Sequence, residues 1–177
     1  KLLNAARFAL SFELPAGVTA VTEPIDKSML ASLQEVIAAS TEAFEGYDHT
    51  KALEKAESFF WTFTDDYLEL VKERAYGQGD FTEQEKGSAV IALRQALGVL
   101  VRLFAPFIPF AAEEVWSWWQ DGTVHKSSWP TSDEISGEDS GLMILASAAL
   151  VQIRKSKSDN KLSMKAEIAT ALVSGPV

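Results

Sequence analysis

Apolar positions along the chain recur mostly at helical spacing, and the breaks between periodic stretches fall at proline, glycine and capping residues. Lys1 to Phe12 carries a helical pattern, and Pro15 and Gly17 then mark a turn. Pro24 and Asp26 introduce a second helix whose apolar side is Met29, Leu30, Leu33, Val36, Ile37 and Phe44, with Gly46 as its stop. A third starts near Asp48, a candidate N-cap, and aligns Leu53, Ala56, Phe60, Phe63, Tyr67, Leu70 and Val71 before Gly77 and Gly79 end it.

Thr82-Glu83-Gln84-Glu85 has the spacing of a capping box, in which hydroxyl and carboxylate each satisfy a free backbone amide. It opens a fourth helix running to Ala105. Pro106 and Pro109 interrupt the periodicity, because proline lacks an amide donor and collides with the preceding turn. A fifth helix carries Phe110, Val115, Trp116 and Trp119. Polar residues dominate 121–141, with Trp129-Pro130 as an anchor, and this stretch reads as a long connection. Leu142 to Lys155 is helical again, a basic turn follows, and Ala166 to Val173 alternates like a strand. The expected fold is mainly α. It comprises a bundle of about five helices over 1–120, a connecting loop over 121–141, and the helix, basic turn and strand of a truncated α/β element over 142–177. Trp61, Phe63, Leu100, Phe104 and Trp116 are expected to be largely buried.

With 177 residues, 47% of them hydrophobic, the chain can bury one sizeable core. The lack of cysteine excludes disulfides and thiolate metal sites and fits a reducing compartment, the cytoplasm being the simplest. No run approaches 18 apolar residues and no signal-peptide profile opens the chain, so neither a membrane span nor export is expected. A first residue other than Met, followed at once by a helical pattern, points to a piece of a longer protein. The net charge of −9 argues against a surface that grips nucleic acid everywhere. Residues 154–165 nevertheless carry +4, leaving −13 for the remainder, so a local basic patch is expected.

No catalytic centre is expected. His49 and His125 are the only histidines, both in apparent loops and without metal-ligand spacing. There is no phosphate-cradling glycine loop, nucleophile elbow or dinucleotide fingerprint. Glu113 and Glu114 are adjacent on a helix and so point about 100° apart, unable to share a substrate atom easily.

Four stretches, in order over nearly the whole chain, resemble the valyl-tRNA synthetase family. Lys1 to Phe8 resembles the NAxRF helix that starts its anticodon-binding bundle. Phe59 to Phe63 with Asp65 to Glu69, and the downstream Lys72 and Arg74, resemble its aromatic F-x-D-x-YLE helix. Leu103 to Phe110 with Glu113 to Trp116 resembles its Pro-x-x-Pro segment, and Ser127 to Pro130 the SxWP that closes it. Arg154, Lys157-Ser158 and Ser163-Met164-Lys165 resemble the basic stretch that follows. The Pro-x-x-Pro segment recurs in isoleucyl and leucyl relatives, so the valyl assignment rests on the third helix and Ser163-Met164-Lys165.

The resemblance implies a domain that reads the anticodon of tRNA(Val) for aminoacylation by catalytic and editing domains of the same parent chain. That parent uses ATP and Mg2+; no cofactor is expected here, since the family's catalytic signatures are missing from the sequence. The first helix is then the part that approaches the anticodon loop, and its residue types suit the task. Asn4 and Arg7 lie three apart on one face, where an amide can pair with a base edge and a guanidinium with a base or phosphate. Phe8 offers a stacking plane or, equally, a core aromatic. Lys27, Tyr67, Lys72 and Arg74 are secondary candidates for tRNA contact. Arg154 and Lys157 read as a phosphate-facing basic turn or, equally, as solvated surface. The competing readings are the same region of an isoleucine-tRNA ligase, and a helical protein-interaction module with no RNA role.

Overall fold

The computed structural model describes residues 1–172. Seven α-helical segments follow in order: α1 (Leu2–Leu10), α2 (Pro24–Glu45), α3 (His49–Thr62), α4 (Leu68–Tyr76), α5 (Glu83–Phe104), α6 (Pro109–Ser117) and α7 (Gly141–Asp159). A π-helical turn, Phe63–Tyr67, joins α3 to α4 into one rod. Five rods therefore lie within residues 1–120, as the periodicity predicts, and α7 adds a sixth. The strand expected over Ala166–Val173 is not formed at 166–172, and Val173 lies outside the described residues. Alternating β-branched residues make a strand only beside a ladder partner, and among the described residues there is none.

Local chemistry sets the boundaries. Pro24 occupies the first turn of α2, where its missing amide costs nothing. Gly46 ends α2, but the left-handed turn falls on Tyr47, with φ of 59°. Asp48 accepts from the Lys51 amide at 2.9 Å and starts α3, so His49 is the first residue of a helix rather than part of a loop. Gly77, at φ 67°, closes α4, and the Thr82/Glu85 capping box opens α5. Pro109 begins α6.

α5 is the axis of the fold and contacts α1, α2, α3, α4 and α6. It is the one described helix long and apolar enough to cross a membrane, and most of its surface is covered by the bundle. Ala5, Ala6 and Ala9 let α1 lie close against it. Phe63, Leu100 and Phe104 are buried as expected, and Trp116 is half-buried. Trp61 and Leu70 are corrections: they are 42% and 39% exposed. Phe60 and Phe63 already fill the core arc on either side of Trp61, and the next helical position points away from it. Phe110 is 90% exposed, at the first turn of α6.

A polar seam crosses this apolar core. The Asp26 carboxylate, fully buried, receives both Arg74 Nη atoms at 2.7 and 2.8 Å, the Tyr67 hydroxyl at 2.8 Å and the Ser88 hydroxyl at 2.6 Å. Ser88 in turn accepts the amides of Thr22 and Glu23. Burial, with the nearby Asp26 charge, drives the Tyr67 phenol well above its ordinary pKa, so it stays a donor. A buried carboxylate with four donors is satisfied, and it fixes α2, α4 and α5 in one register.

The connection after α6 is a strap rather than slack chain. Trp129 donates to Thr41 Oγ1 at 2.9 Å and packs edge-on against Phe44. Gln34 Nε2 holds the carbonyls of Ser132 and Ile135, both at 2.8 Å. Gly137 then crosses α2 so closely that a Cβ there would sit 2.0 Å from the Ala31 nitrogen.

Candidate nucleic-acid interface

α1 separates its faces cleanly. Leu2, Ala5, Ala6 and Ala9 are buried, while Lys1, Asn4, Arg7 and Ser11 form the exposed stripe. Asn4 and Arg7 therefore share the outward face predicted from their spacing. Among the described residues the Asn4 amide makes no side-chain hydrogen bond and Arg7 no ion pair. Aromatic rings flank the stripe. The Arg7 guanidinium lies 5.4 Å from the centroid of the Trp118 ring, and Lys1 Nζ lies 3.8 Å from that of Trp61. Lys1 also pairs with Asp65 Oδ1 at 2.7 Å, and this bond holds the Asp65 carboxyl below its ordinary pKa.

Beside the stripe, a cleft of about 270 Å³ runs between α1 and the π turn and α4, lined by Lys1, Asn4, Phe8, Thr64, Leu68 and Glu69. Phe8 is half-buried there. One side of it is committed to edge-on contacts with Phe12 and Tyr76, with ring centroids 4.9 and 6.0 Å away, and the rest borders the cleft. Asn4, Arg7 and Phe8 are thus brought together at one surface that can offer an amide, a guanidinium and an aromatic edge. Lys72 stands on α4 beside the cleft wall and is paired with Glu69.

The remaining candidates go elsewhere. Tyr67 and Arg74 are buried, their polar atoms spent on Asp26, so neither reaches the surface. The same periodic stripe that aligns core positions carries both inward, and only the Asp26 partner makes that burial tolerable. Lys27 lines a separate small cleft with Asp139 and Leu142 and is paired with Glu138 at 3.0 Å. Arg154 reaches Asp66 at 2.6 Å and the Asp65 carbonyl, and Lys157 donates to the Met164 carbonyl at 2.8 Å. The exposed Trp61 and the half-buried Trp118, both bordering this face, were missed. The signal for each was its place one step off a stripe already complete.

A second cleft, about 540 Å³ between α2, α3 and α7, contains none of these residues. His125 Nε2 is 3.9 Å from Glu113, and among the described residues no three His, Cys, Asp or Glu side chains converge as a metal site requires.

Comparison with known proteins adds two findings. Residues 26–172 match the family model of the anticodon-binding domain of tRNA ligase. Over 99% of its length the chain is 54% identical to a valine–tRNA ligase of Cutibacterium acnes, and over 99% it is 52% identical to that of Thermobifida fusca. It spans about a fifth of the length of these curated relatives. The matched residues take in the bundle from α2 to α7, most of the chain, and with these relatives they show its family: the chain belongs to the anticodon-binding domain family of tRNA ligases.

Proposed function

We propose that this chain is the anticodon-reading domain of a valine-tRNA ligase and that the outward face of α1 meets the anticodon loop of tRNA(Val). The observation that carries the reading is the placing of Asn4 and Arg7 on one exposed face, without a side-chain hydrogen bond or ion pair among the described residues and bordered by aromatic rings. An unstacked loop base needs a plane to lie against and donors or acceptors for its edge, and this face supplies both. Lys72 beside the cleft adds a cation within reach of the backbone. The buried Tyr67 and Arg74 support the surface from behind.

In this reading the bundle contributes position, not chemistry. Activation of valine with ATP and Mg2+, transfer and editing belong to other domains of a parent chain acting in the cytoplasm. The valine specificity rests on the names of the relatives and on their identity to this chain.

The test is binding of anticodon stem-loop RNAs carrying valine or isoleucine anticodons, measured by fluorescence anisotropy over a salt series. The valine stem-loop is expected to bind more tightly, with an affinity that falls steeply with salt as phosphate counterions are released. Arg7→Ala is expected to cost about 1–3 kcal/mol of affinity if Arg7 contacts a base. Equal binding of both RNAs would remove the valine assignment. Weak, salt-insensitive binding would favour a protein-interaction bundle instead.

A further inference from the structure

α7 is held to the bundle unevenly. Its beginning is pinned several times: the Met143 amide donates to Ser28 Oγ at 2.8 Å, the Glu138 amide to the Lys27 carbonyl at 3.1 Å, and Ser140 Oγ to Glu35 at 2.7 Å. Met143 is also its one buried residue. Beyond it Ile144, Leu145 and Val151 are more than half exposed, so the later turns gain little from apolar burial. About 16 Å further along the helix, at its usual rise per residue, stands Arg154. Its guanidinium donates to the Asp66 carboxylate at 2.6 Å and to the Asp65 carbonyl, both in the π turn.

That turn sends three consecutive side chains to three different parts of the bundle. Asp65 takes Lys1 before α1, Asp66 takes Arg154 of α7, and Tyr67 takes Asp26 of α2. The Asp66 side chain is only 12% exposed, so its carboxylate depends on Arg154 for compensation. An arginine that left Asp66 to grip a phosphate would abandon a nearly buried negative charge. Within the same segment Lys157 closes the turn onto the Met164 carbonyl. Lys155, Lys161 and Lys165 are exposed, and among the described residues they make no side-chain hydrogen bond or ion pair.

We infer that Arg154 is a positioning residue: it latches the C-terminal half of α7 to the π turn, so that the free lysines 155, 161 and 165 are held where they can face the RNA backbone. The inference rests on the RNA-binding reading above for its functional half and on geometry alone for the latch.

The experiment uses the full chain with Arg154→Ala, Asp66→Ala, the double variant, and two conservative ones, Asp66→Asn and Arg154→Lys. Two quantities are read: hydrogen exchange of the backbone amides, and stem-loop RNA affinity against salt. The latch predicts that either alanine variant speeds exchange in residues 150–159 by about tenfold, the worth of one charge-assisted hydrogen bond, with α5 unchanged. RNA affinity should fall alike in both, and the double variant should be no weaker than either single one. Asp66→Asn should lie between wild type and Asp66→Ala, and Arg154→Lys, which can fill only one acceptor, should restore part of the protection. Unchanged exchange at 150–159 in both alanine variants overturns the latch. So does a direct-contact pattern, in which Arg154→Ala weakens RNA binding and lowers the salt slope by about one charge while Asp66→Ala holds or tightens it. A wild-type chain that binds no RNA defeats the functional reading alone, because the exchange data still decide the latch.

Discussion

Arg7 and Arg74 are both arginines on helices rich in aromatic neighbours, yet one lies on the outward stripe of α1 and the other inside the seam between α2, α4 and α5. The difference is made by their partners. Arg74 has a buried carboxylate arranged to meet its fork bidentately, and Arg7, among the described residues, has the face of Trp118 and no ion pair. An arginine turns inward where a matching anion awaits it and remains available to a ligand where none does.

The sharpest way to break this contrast is to neutralise each arginine in turn. Arg74→Met strands the Asp26 carboxylate in the core and is expected to cost about 3–5 kcal/mol in urea unfolding. Arg7→Ala should stay within about 0.5 kcal/mol of the wild type. Equal unfolding midpoints for the two variants would show that the seam is not structural. Phe104→Ala, at an edge-on contact with Phe60, is expected to cost about 3–5 kcal/mol, and Trp61→Ala much less, since Trp61 is partly solvated. A larger loss at Trp61 would place it in the core after all.

Smaller effects refine the same division between interior and surface. Thr82→Ala removes the capping hydroxyl of α5 and should cost about 1 kcal/mol, read from the same unfolding curves. The carboxyls of Asp65 and Glu134 are held low chiefly by hydrogen bonds from Lys1 and Arg102. Their contribution is therefore complete above the ordinary carboxylate pKa of about 4 and disappears as pH falls through their lowered folded values. Thermal unfolding should be flat in this respect from pH 7 to 5 and decline below about 4. Lys1→Ala and Arg102→Ala should make that acid decline shallower.

What was legible in the sequence was whatever local chemistry decides. The caps at Asp48 and Thr82, the stop at Gly77 and the prolines at the start of α6 fall where their side chains dictate. The five-rod bundle follows from them together with the apolar period. The exposed face of α1 was legible too, because small buried residues at 5, 6 and 9 leave 4 and 7 outside. What was not legible depends on tertiary partners. Periodicity carries Tyr67 and Arg74 to the inner arc of their rod, but only the folded chain shows that Asp26 waits there. Trp61 looked like core because aromatics usually are, and a run of three in Phe59-Phe60-Trp61 cannot all face inward on a helix. The strand read over Ala166–Val173 needed a ladder partner, and among the described residues 166–172 has none.

The strap between α6 and α7 bears on how such a domain can change length during evolution. Near Gly122 the chain turns at positive φ with open space around it, and added residues there cost only loop closure, which grows slowly with length. From Trp129 onward every few residues are fastened to α2, past Gly137, whose backbone rests on that of Ala31, and on to Glu138 and Ser140. An insertion at the first place is absorbed as slack, whereas one at the second moves α7 and everything α7 carries.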